Sequence, residues 1–284
     1  MDNEGASFVM RTDVRVATHS DEFVLLTPEQ MRRRFLVEGL FVPGEVRFML
    51  SQSDRILLGG AQTSGGTLDV PAPAEIRSAQ ICDRRELGVV CLSGAGSVMA
   101  MADNEEYAVA AEDILYVGSG SKGVRVSGDA TYYLVSAPAH QPHPTTLIRR
   151  ADAATARIGS AEGASLRTLR KYVHDQGVTS CELALGITTI EPGSVWNTMP
   201  CHTHDRRTEC YLYFGLPEGE RVVHLAGPPD QTKSLIVADR QAVISPPWSV
   251  HFGAGTTAYK FVWSTAGENL AYDDMDPVPN RELK

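Results

Sequence analysis

Cysteine is scarce and unpatterned in this chain of 284 residues. The five (Cys82, Cys91, Cys181, Cys201 and Cys210) are odd in number and widely spread, with no C-x-x-C pair. That excludes a disulfide framework and a zinc ribbon, and points to a reducing cytoplasm. No apolar run approaches the roughly 18 residues that cross a bilayer, so no membrane span is expected. Met1-Asp2-Asn3-Glu4-Gly5 is acidic and leads into no apolar core, unlike a secretory signal. An excess of positive charge is missing as well. With 26 Lys and Arg against 35 Asp and Glu, the net charge is -9, which argues against nucleic acid or an anionic membrane as partner. A small anionic substrate stays open, because a local cluster of Arg and Lys overrides a diffuse acidic surface. Hydrophobic residues at 43% and charged residues at 21% exclude a disordered or collagen-like chain. The length suits one large domain or two ordinary ones.

The first 25 or so residues carry little periodicity and read as an irregular arm. Thr27-Pro28-Glu29-Gln30 then offers an N-cap hydroxyl, a proline in the first turn and a glutamine at the capping-box position, predicting a helix to about Phe35. Beyond it come short β-rich runs such as Glu45–Leu50, Leu87–Leu92, Ile114–Val117, Cys210–Phe214 and Tyr259–Trp263, separated by Gly, Pro, Asn and Asp. Many short strands with few helices suggest a sandwich or barrel. An internal repeat sharpens this. Asp83-Arg84-Arg85-Glu86 before one strand resembles Asp205-Arg206-Arg207-Thr208-Glu209 before another, and Gly128–Val135 resembles Gly255–Val262, at offsets of 122 and 127. Two similar β-barrels are expected, joined near the polar stretch His140 to Ala161, with domains at 1–148 and 149–284.

The richest segment is Trp196-Asn197-Thr198-Met199-Pro200-Cys201-His202-Thr203-His204-Asp205-Arg206-Arg207-Thr208-Glu209. On a strand alternate side chains share a face, so His202 and His204 project together. A turn at Asp205 to Thr208 brings Glu209 back beside them, with Tyr211 and Tyr213 on the face of Glu209 and Cys210, Leu212 and Phe214 opposite. A third imidazole, His251, follows the rigid turn in Ser245-Pro246-Pro247-Trp248-Ser249-Val250. Three imidazoles and one carboxylate suit a borderline divalent metal such as zinc, manganese, iron or nickel. Four protein ligands close a tetrahedral zinc site, so catalysis there needs added coordination positions. An H-x-H pair alone arises by chance in roughly one such sequence in five; the added glutamate and distant histidine give it weight. His140, His143, His174 and His224 lack such context and read as surface or satisfied-core residues. Cys201 and Cys210 read as small buried apolar groups. Trp196 and Trp248 are equally consistent with pocket lining or packing, and Asn197 is a candidate to orient a ligand histidine.

His202-x-His204-x4-Glu209, followed by Gly215, resembles the first cupin motif, and Pro246-x-Trp248-x-x-His251 resembles the second, with Trp248 where glycine is common. Trp196 through Arg207 closely resembles the 5-keto-4-deoxyuronate isomerases, the 4-deoxy-L-threo-5-hexosulose-uronate ketol-isomerases of pectin and polyuronate breakdown. So do Ser51–Ile56, Arg84–Val89, Gly94-Ala95-Gly96, Gly267-Glu268-Asn269 and Tyr272–Asp276. The likeness runs from about Arg34 to the end and is thin over the first 30 or so residues and around Ala151 to Arg170.

The resemblance implies a mainly β bicupin with two jelly-roll barrels, often a homo-hexamer. One zinc per subunit would be held in the second barrel by His202, His204, Glu209 and His251. The first barrel would lack a metal site: at the 127 offset His251 falls on Val124, and no H-x-H precedes Asp83. The implied reaction is an aldose–ketose isomerisation of 5-dehydro-4-deoxy-D-glucuronate to 3-deoxy-D-glycero-2,5-hexodiulosonate, through a metal-stabilised enediolate. Glu209, Lys171, Tyr172 and Tyr211 are candidates to move the proton. Arg206, Arg207, Arg170 and Lys171 are candidates to bind the substrate carboxylate. Two other functions suit the same fold: a metal-dependent cupin oxygenase and a non-catalytic sugar-acid-binding cupin.

Overall fold

The computed structural model describes residues 12–101, 104–268 and 271–284. The expectations about Met1 to Gly5 and Asn269 fall outside those residues. The capping box at Thr27 forms as the sequence predicts. The Thr27 hydroxyl accepts from the Gln30 N–H at 3.3 Å, the Gln30 side chain accepts from the Thr27 N–H at 2.8 Å, and the helix spans Pro28–Phe35. The arm before it is less irregular than expected. Asp13–Arg15 pairs in parallel with Val46–Ser51, and Ser20–Phe23 forms a short helix.

The rest of the chain is built almost wholly of strands, arranged as two halves with one plan. The main sheet of the first half runs Val46–Ser51, Leu57–Gln62, Val124–Pro138, Arg85–Ala100, Ile114–Val117, Thr146–Ile148. The second half repeats that order as Arg167–Val173, Ala184–Ile190, Lys260–Gly267, Arg207–Phe214, Gln241–Ser245, Leu36–Val37. A second layer repeats too. Thr67–Val70 and Glu105–Ala110 flank the far ends of the two long strands of the first half. In the second half the separate sheet Trp196–Asn197, Val250–Gly255, Val222–Gly227, Lys233–Val237 takes their place. The difference has a local cause. Arg85–Ala100 and Val124–Pro138 bend from layer to layer without a break, whereas loops interrupt their counterparts after Phe214 and Gly255. The sheets stay open among the described residues, so each expected barrel is a pair of facing layers rather than a closed ring.

The ladders correct the sequence alignment at one point. Arg85 pairs with Pro138 and Arg207 with Gly267, so the offset is 122 on one strand and 129 on the other. Tyr133 therefore corresponds to Val262, two residues from the expected match, because the turn after Gly255 adds length.

Alternation assigns each face. On Arg85–Ala100, Leu87, Val89 and Cys91 fill the interior of the first half, while Val90 and Leu92 face the second. On Arg207–Phe214, Tyr211 and Tyr213 point into the second half, while Cys210, Leu212 and Phe214 face the first. The two sheets meet across a shared apolar layer so close that a Cβ on Gly88 would lie 2.6 Å from Leu185 Cδ2. The chain passes between halves after Ile148, and Ala154–Ile158 already pairs with Arg167–Val173. One element crosses the other way: Leu36–Val37 closes the edge of the second half on Gln241–Ser245. Phe23, Met31 and Phe35 of the arm are buried there. Burying a side chain of that size contributes about 1.5–3 kcal/mol.

Candidate metal centre

Four side chains from three strands converge in the second half. His202 sits on His202–Thr203, which pairs with Asp276–Pro277. His204 is two residues on, its N–H bonded to the Pro247 carbonyl at 3.1 Å. Glu209 lies on Arg207–Phe214 opposite Thr265 and Ser245, and His251 lies on Val250–Gly255 opposite Ala226. The turn at Pro246–Ser249 thus delivers His251 and anchors the backbone of His204.

All three histidines aim Nε2 at one point. His202 Nε2 is 3.0 Å from His204 Nε2 and 3.2 Å from His251 Nε2, and Glu209 Oε2 is 2.7 Å from His204 Nε2 and 3.1 Å from His251 Nε2. All four donor atoms lie within 4.8 Å of one another. His204 Nδ1 is 2.8 Å from the Asp274 carbonyl and His251 Nδ1 is 3.2 Å from the Ser249 carbonyl. A carbonyl can only accept, so each Nδ1 carries the proton and each Nε2 turns a lone pair inward. Four electron-rich atoms packed this closely call for a cation between them. Donors sharing one ion at about 2.1 Å sit roughly 3.0–3.4 Å apart, so these residues fit a zinc-like divalent metal.

The electrostatics agree. Burial, reinforced by the neighbouring His251 ring, pushes His202 down to about 2 and so keeps the imidazole neutral. Burial alone would raise the Glu209 carboxyl, but the His251 and His204 rings packed against it hold it well below the usual carboxylate range. Among the described residues, the two histidines meet Glu209 through Oε2.

The cluster forms one wall of a cavity of about 370 Å³. Tyr211, also in the wall, is buried with its hydroxyl 2.8 Å from Thr198 Oγ1. Burial and then the Glu209 charge raise it well above the usual phenol range, so it holds its proton. Thr198 adopts φ 49°, a left-handed conformation that strains a β-branched residue and that aims its hydroxyl at Tyr211. Tyr272 is pushed up to about 12 by the same two causes.

The other candidates separate. Arg207 reaches the cavity wall, and its guanidinium donates to the carbonyls of Ala271, Tyr272 and Asp274. Arg206 points away and holds the carboxylates of Asp274 and Asp276. Arg170 does not line the cavity. Lys171 stands off it, its ammonium 5.1 Å from the centre of the Tyr272 ring. Tyr172 is on the opposite face of its strand, in the layer between halves, and donates to the Glu112 carbonyl at 2.7 Å. Asn197 serves no ligand histidine: its amide donates to the hydroxyls of Tyr259 and Tyr213. Trp248 packs on Phe23 and Phe35, and Trp196 stacks on Phe252. Two lining residues were missed by sequence reasoning, Arg167 and His174. Arg167 shares its strand face with Leu169, which is buried on the cavity side, but that face is known only from the packed sheet.

A model of the KduI/IolB family matches residues 61–278. The chain belongs to the KduI/IolB family. Within it, the chain is 49% identical over 278 residues to a protein of Kineococcus radiotolerans named 4-deoxy-L-threo-5-hexosulose-uronate ketol-isomerase, covering 95% of this chain and 99% of that one. A protein of the same name from Caldicellulosiruptor bescii is 42% identical over 277 residues, covering 96% and 100%. Among solved structures, an iolB-like protein from Salmonella typhimurium LT2 superposes with TM-score 0.63 at 18% identity, over 76% of this chain and 85% of that one. An oxalate decarboxylase from Lactobacillus farciminis gives TM-score 0.55 at 9% identity, over 80% and 82%. These two likenesses concern the fold alone, and that fold is the mainly β, cupin-like one the motifs implied.

Proposed function

We propose that this member of the KduI/IolB family is a metal-dependent 4-deoxy-L-threo-5-hexosulose-uronate ketol-isomerase. One observation carries the reading: 49% identity to a protein of that name over 95% of this chain, in which three histidines and one glutamate converge beside a cavity. In this reading a proton moves between C2 and C1 of the sugar acid while the carbonyl changes place. A divalent ion held by His202, His204, Glu209 and His251 supplies Lewis-acid stabilisation of the negative charge that develops on the substrate oxygens. The rest falls to the protein. Tyr211 and Tyr272, protonated at neutral pH, donate hydrogen bonds to substrate oxygens and cannot serve as bases. Glu209 is the ionised carboxylate of the wall, and in this proposal it takes and returns the proton when its hold on the ion loosens, since a ligated carboxylate is a weakened base. Lys171 and Tyr172, set off the cavity, drop out of this scheme. Phe261, Trp263 and Met275 line the same space and exclude water.

The same proposal takes zinc as the resident ion, supported by the imidazole-rich donor set, and 1–148 and 149–284 as the two domains, supported by the repeated strand order. It takes a homo-hexamer acting in pectin breakdown, supported by the family resemblance, and a cytoplasmic setting, supported by five free cysteines. No helix among the described residues is long and apolar enough to cross a membrane. The deciding experiment is conversion of 4-deoxy-5-ketouronate to the 2,5-diketo acid before and after chelation. Loss on chelation and recovery with a divalent metal is expected. No conversion by fully metal-loaded protein overturns the reading.

A further inference from the structure

Arg167 is a buried cation without a counter-ion. Its residue exposure is 9%, and it lines the cavity. Nη1 donates to the Ser165 carbonyl at 2.9 Å and Nη2 to the Met199 carbonyl at 3.4 Å. Among the described residues no Asp or Glu lies within ion-pair distance of it. A guanidinium has five N–H donors, so three are left over. Burying a charge without its opposite costs several kcal/mol, and a cavity wall tolerates that when something else brings the missing charge. Burial pulls the Arg167 pKa downward, which registers the same cost.

The other charges nearby are committed. Glu209, the one carboxylate among the described lining residues, is held by His204 and His251. Arg207 spends its guanidinium on three carbonyls, and Arg206 is bound to two aspartates outside the cavity. Arg167 enters the cavity from a different strand: its own lies three ladders from the strand of Glu209, about 14 Å round the sheet at the usual ~4.8 Å spacing. The cavity is therefore lined both by the donor cluster and by a cationic fork carried on another strand.

We propose that Arg167 binds the carboxylate of the substrate, which fixes the end of the sugar acid presented to the histidine cluster and excludes uncharged sugars. The proposal rests on the sugar-acid reading above for the identity of the substrate, while the burial and geometry of Arg167 stand apart from it. A fork–carboxylate pair adds orientation as well as affinity.

The test is calorimetric and needs no turnover. Zinc-loaded protein is titrated with D-glucuronate and with D-glucuronamide, which differ in the charge of the carboxyl group. Wild type is expected to favour the acid by about ten- to a hundred-fold, the worth of a charge-assisted pair. In Arg167→Met the preference should fall to within about two-fold with zinc content unchanged, whereas Arg170→Met, off the cavity, should keep it. No preference in wild type, or a preference that survives in Arg167→Met, overturns the proposal. If Arg167→Met fails to fold, Arg167→Gln decides: it keeps hydrogen-bond donors for the Ser165 and Met199 carbonyls but loses the charge, and an undiminished preference in it overturns the proposal equally. The two readings fail separately. Wild type that converts no ketouronate yet loses acid preference in Arg167→Met sinks the isomerase alone. Arg167→Met that isomerises with an unchanged KM sinks the carboxylate anchor alone.

Discussion

At the residue scale the protonation pattern governs the centre. With Nδ1–H of His204 and His251 tied to carbonyls, neither ring can turn its lone pair away without abandoning a hydrogen bond. Replacing His202 or His251 by Ala should cut bound metal and isomerase activity at least about 100-fold while the thermal unfolding of the apo-protein changes little. Atomic emission on the purified variants checks this, and full metal retention in both removes them as ligands. His224 gives a different signal. It is wholly buried, its Nδ1 2.7 Å from the Tyr213 hydroxyl, and burial followed by the neighbouring His251 pushes its pKa down to about 3 from the usual 6.5. Between those values the unfolded chain takes a proton that the folded chain refuses, so stability falls as pH drops through that window. Each such group adds a slope of about 1.4 kcal/mol per pH unit. Urea unfolding between about pH 6 and 4 should therefore be less steeply pH-dependent in His224→Gln by about that amount; equal slopes would mean that His224 titrates normally. The cluster itself was legible in the sequence because strand alternation and one short turn suffice to gather His202, His204 and Glu209. Arg167 was not. Arg167-Thr168-Leu169-Arg170-Lys171-Tyr172 places basic side chains at both parities, and only the packed sheet shows which parity meets the cavity.

At the scale of elements, the segment from Ala271 to Pro277 acts as a strap over the metal cluster. Arg206 grips the Asp274 carboxylate, Arg207 grips its carbonyl at 3.1 Å, and the same carbonyl accepts from His204. Asp276–Pro277 then pairs with His202–Thr203. Both arginines therefore act on the cluster through one residue. Arg207→Lys, which cannot span three carbonyls, should weaken zinc binding about 10–100-fold, and Arg206→Ala by less, in competition with a chromogenic chelator. Unchanged affinity in Arg207→Lys would mean that the ladder alone holds the strap. The sequence placed Arg206 and Arg207 near the site, but nothing in an Arg-Arg pair announces which carbonyls and carboxylates it will meet. The helix at Pro28 was legible to its last residue because a capping box is a local device. The crossing of Leu36–Val37 to the second half was not, because a two-residue strand carries no pattern that names its partner.

At the scale of the molecule, the two halves use one plan for different ends. Where the second half carries Glu209, Tyr211 and Tyr213 inward, the first carries Leu87, Val89 and Cys91 at the same ladder positions. An apolar interior replaces the chemical one, and the first half becomes the base against which the active sheet is pressed. Its own buried carboxylate has a structural task. Glu86, with no exposed surface, accepts the backbone N–H groups of Cys181, Glu182 and Leu183 at 2.8, 2.7 and 2.7 Å and the Tyr116 hydroxyl at 2.6 Å. Those N–H groups immediately precede the strand Ala184–Ile190, so one side chain of the first half fixes the entry of a main strand of the second. Removing it leaves several buried donors without an acceptor. Glu86→Ala should lose about 3–5 kcal/mol in urea unfolding, and Glu86→Gln, which keeps one acceptor oxygen, distinctly less. Zinc affinity of the folded variants should stay near wild type, because no ligand touches Glu86. A Glu86→Ala protein as stable as wild type would mean that the apolar layer alone joins the halves. Stability retained with zinc affinity lost would instead place Glu86 in the support of the metal centre.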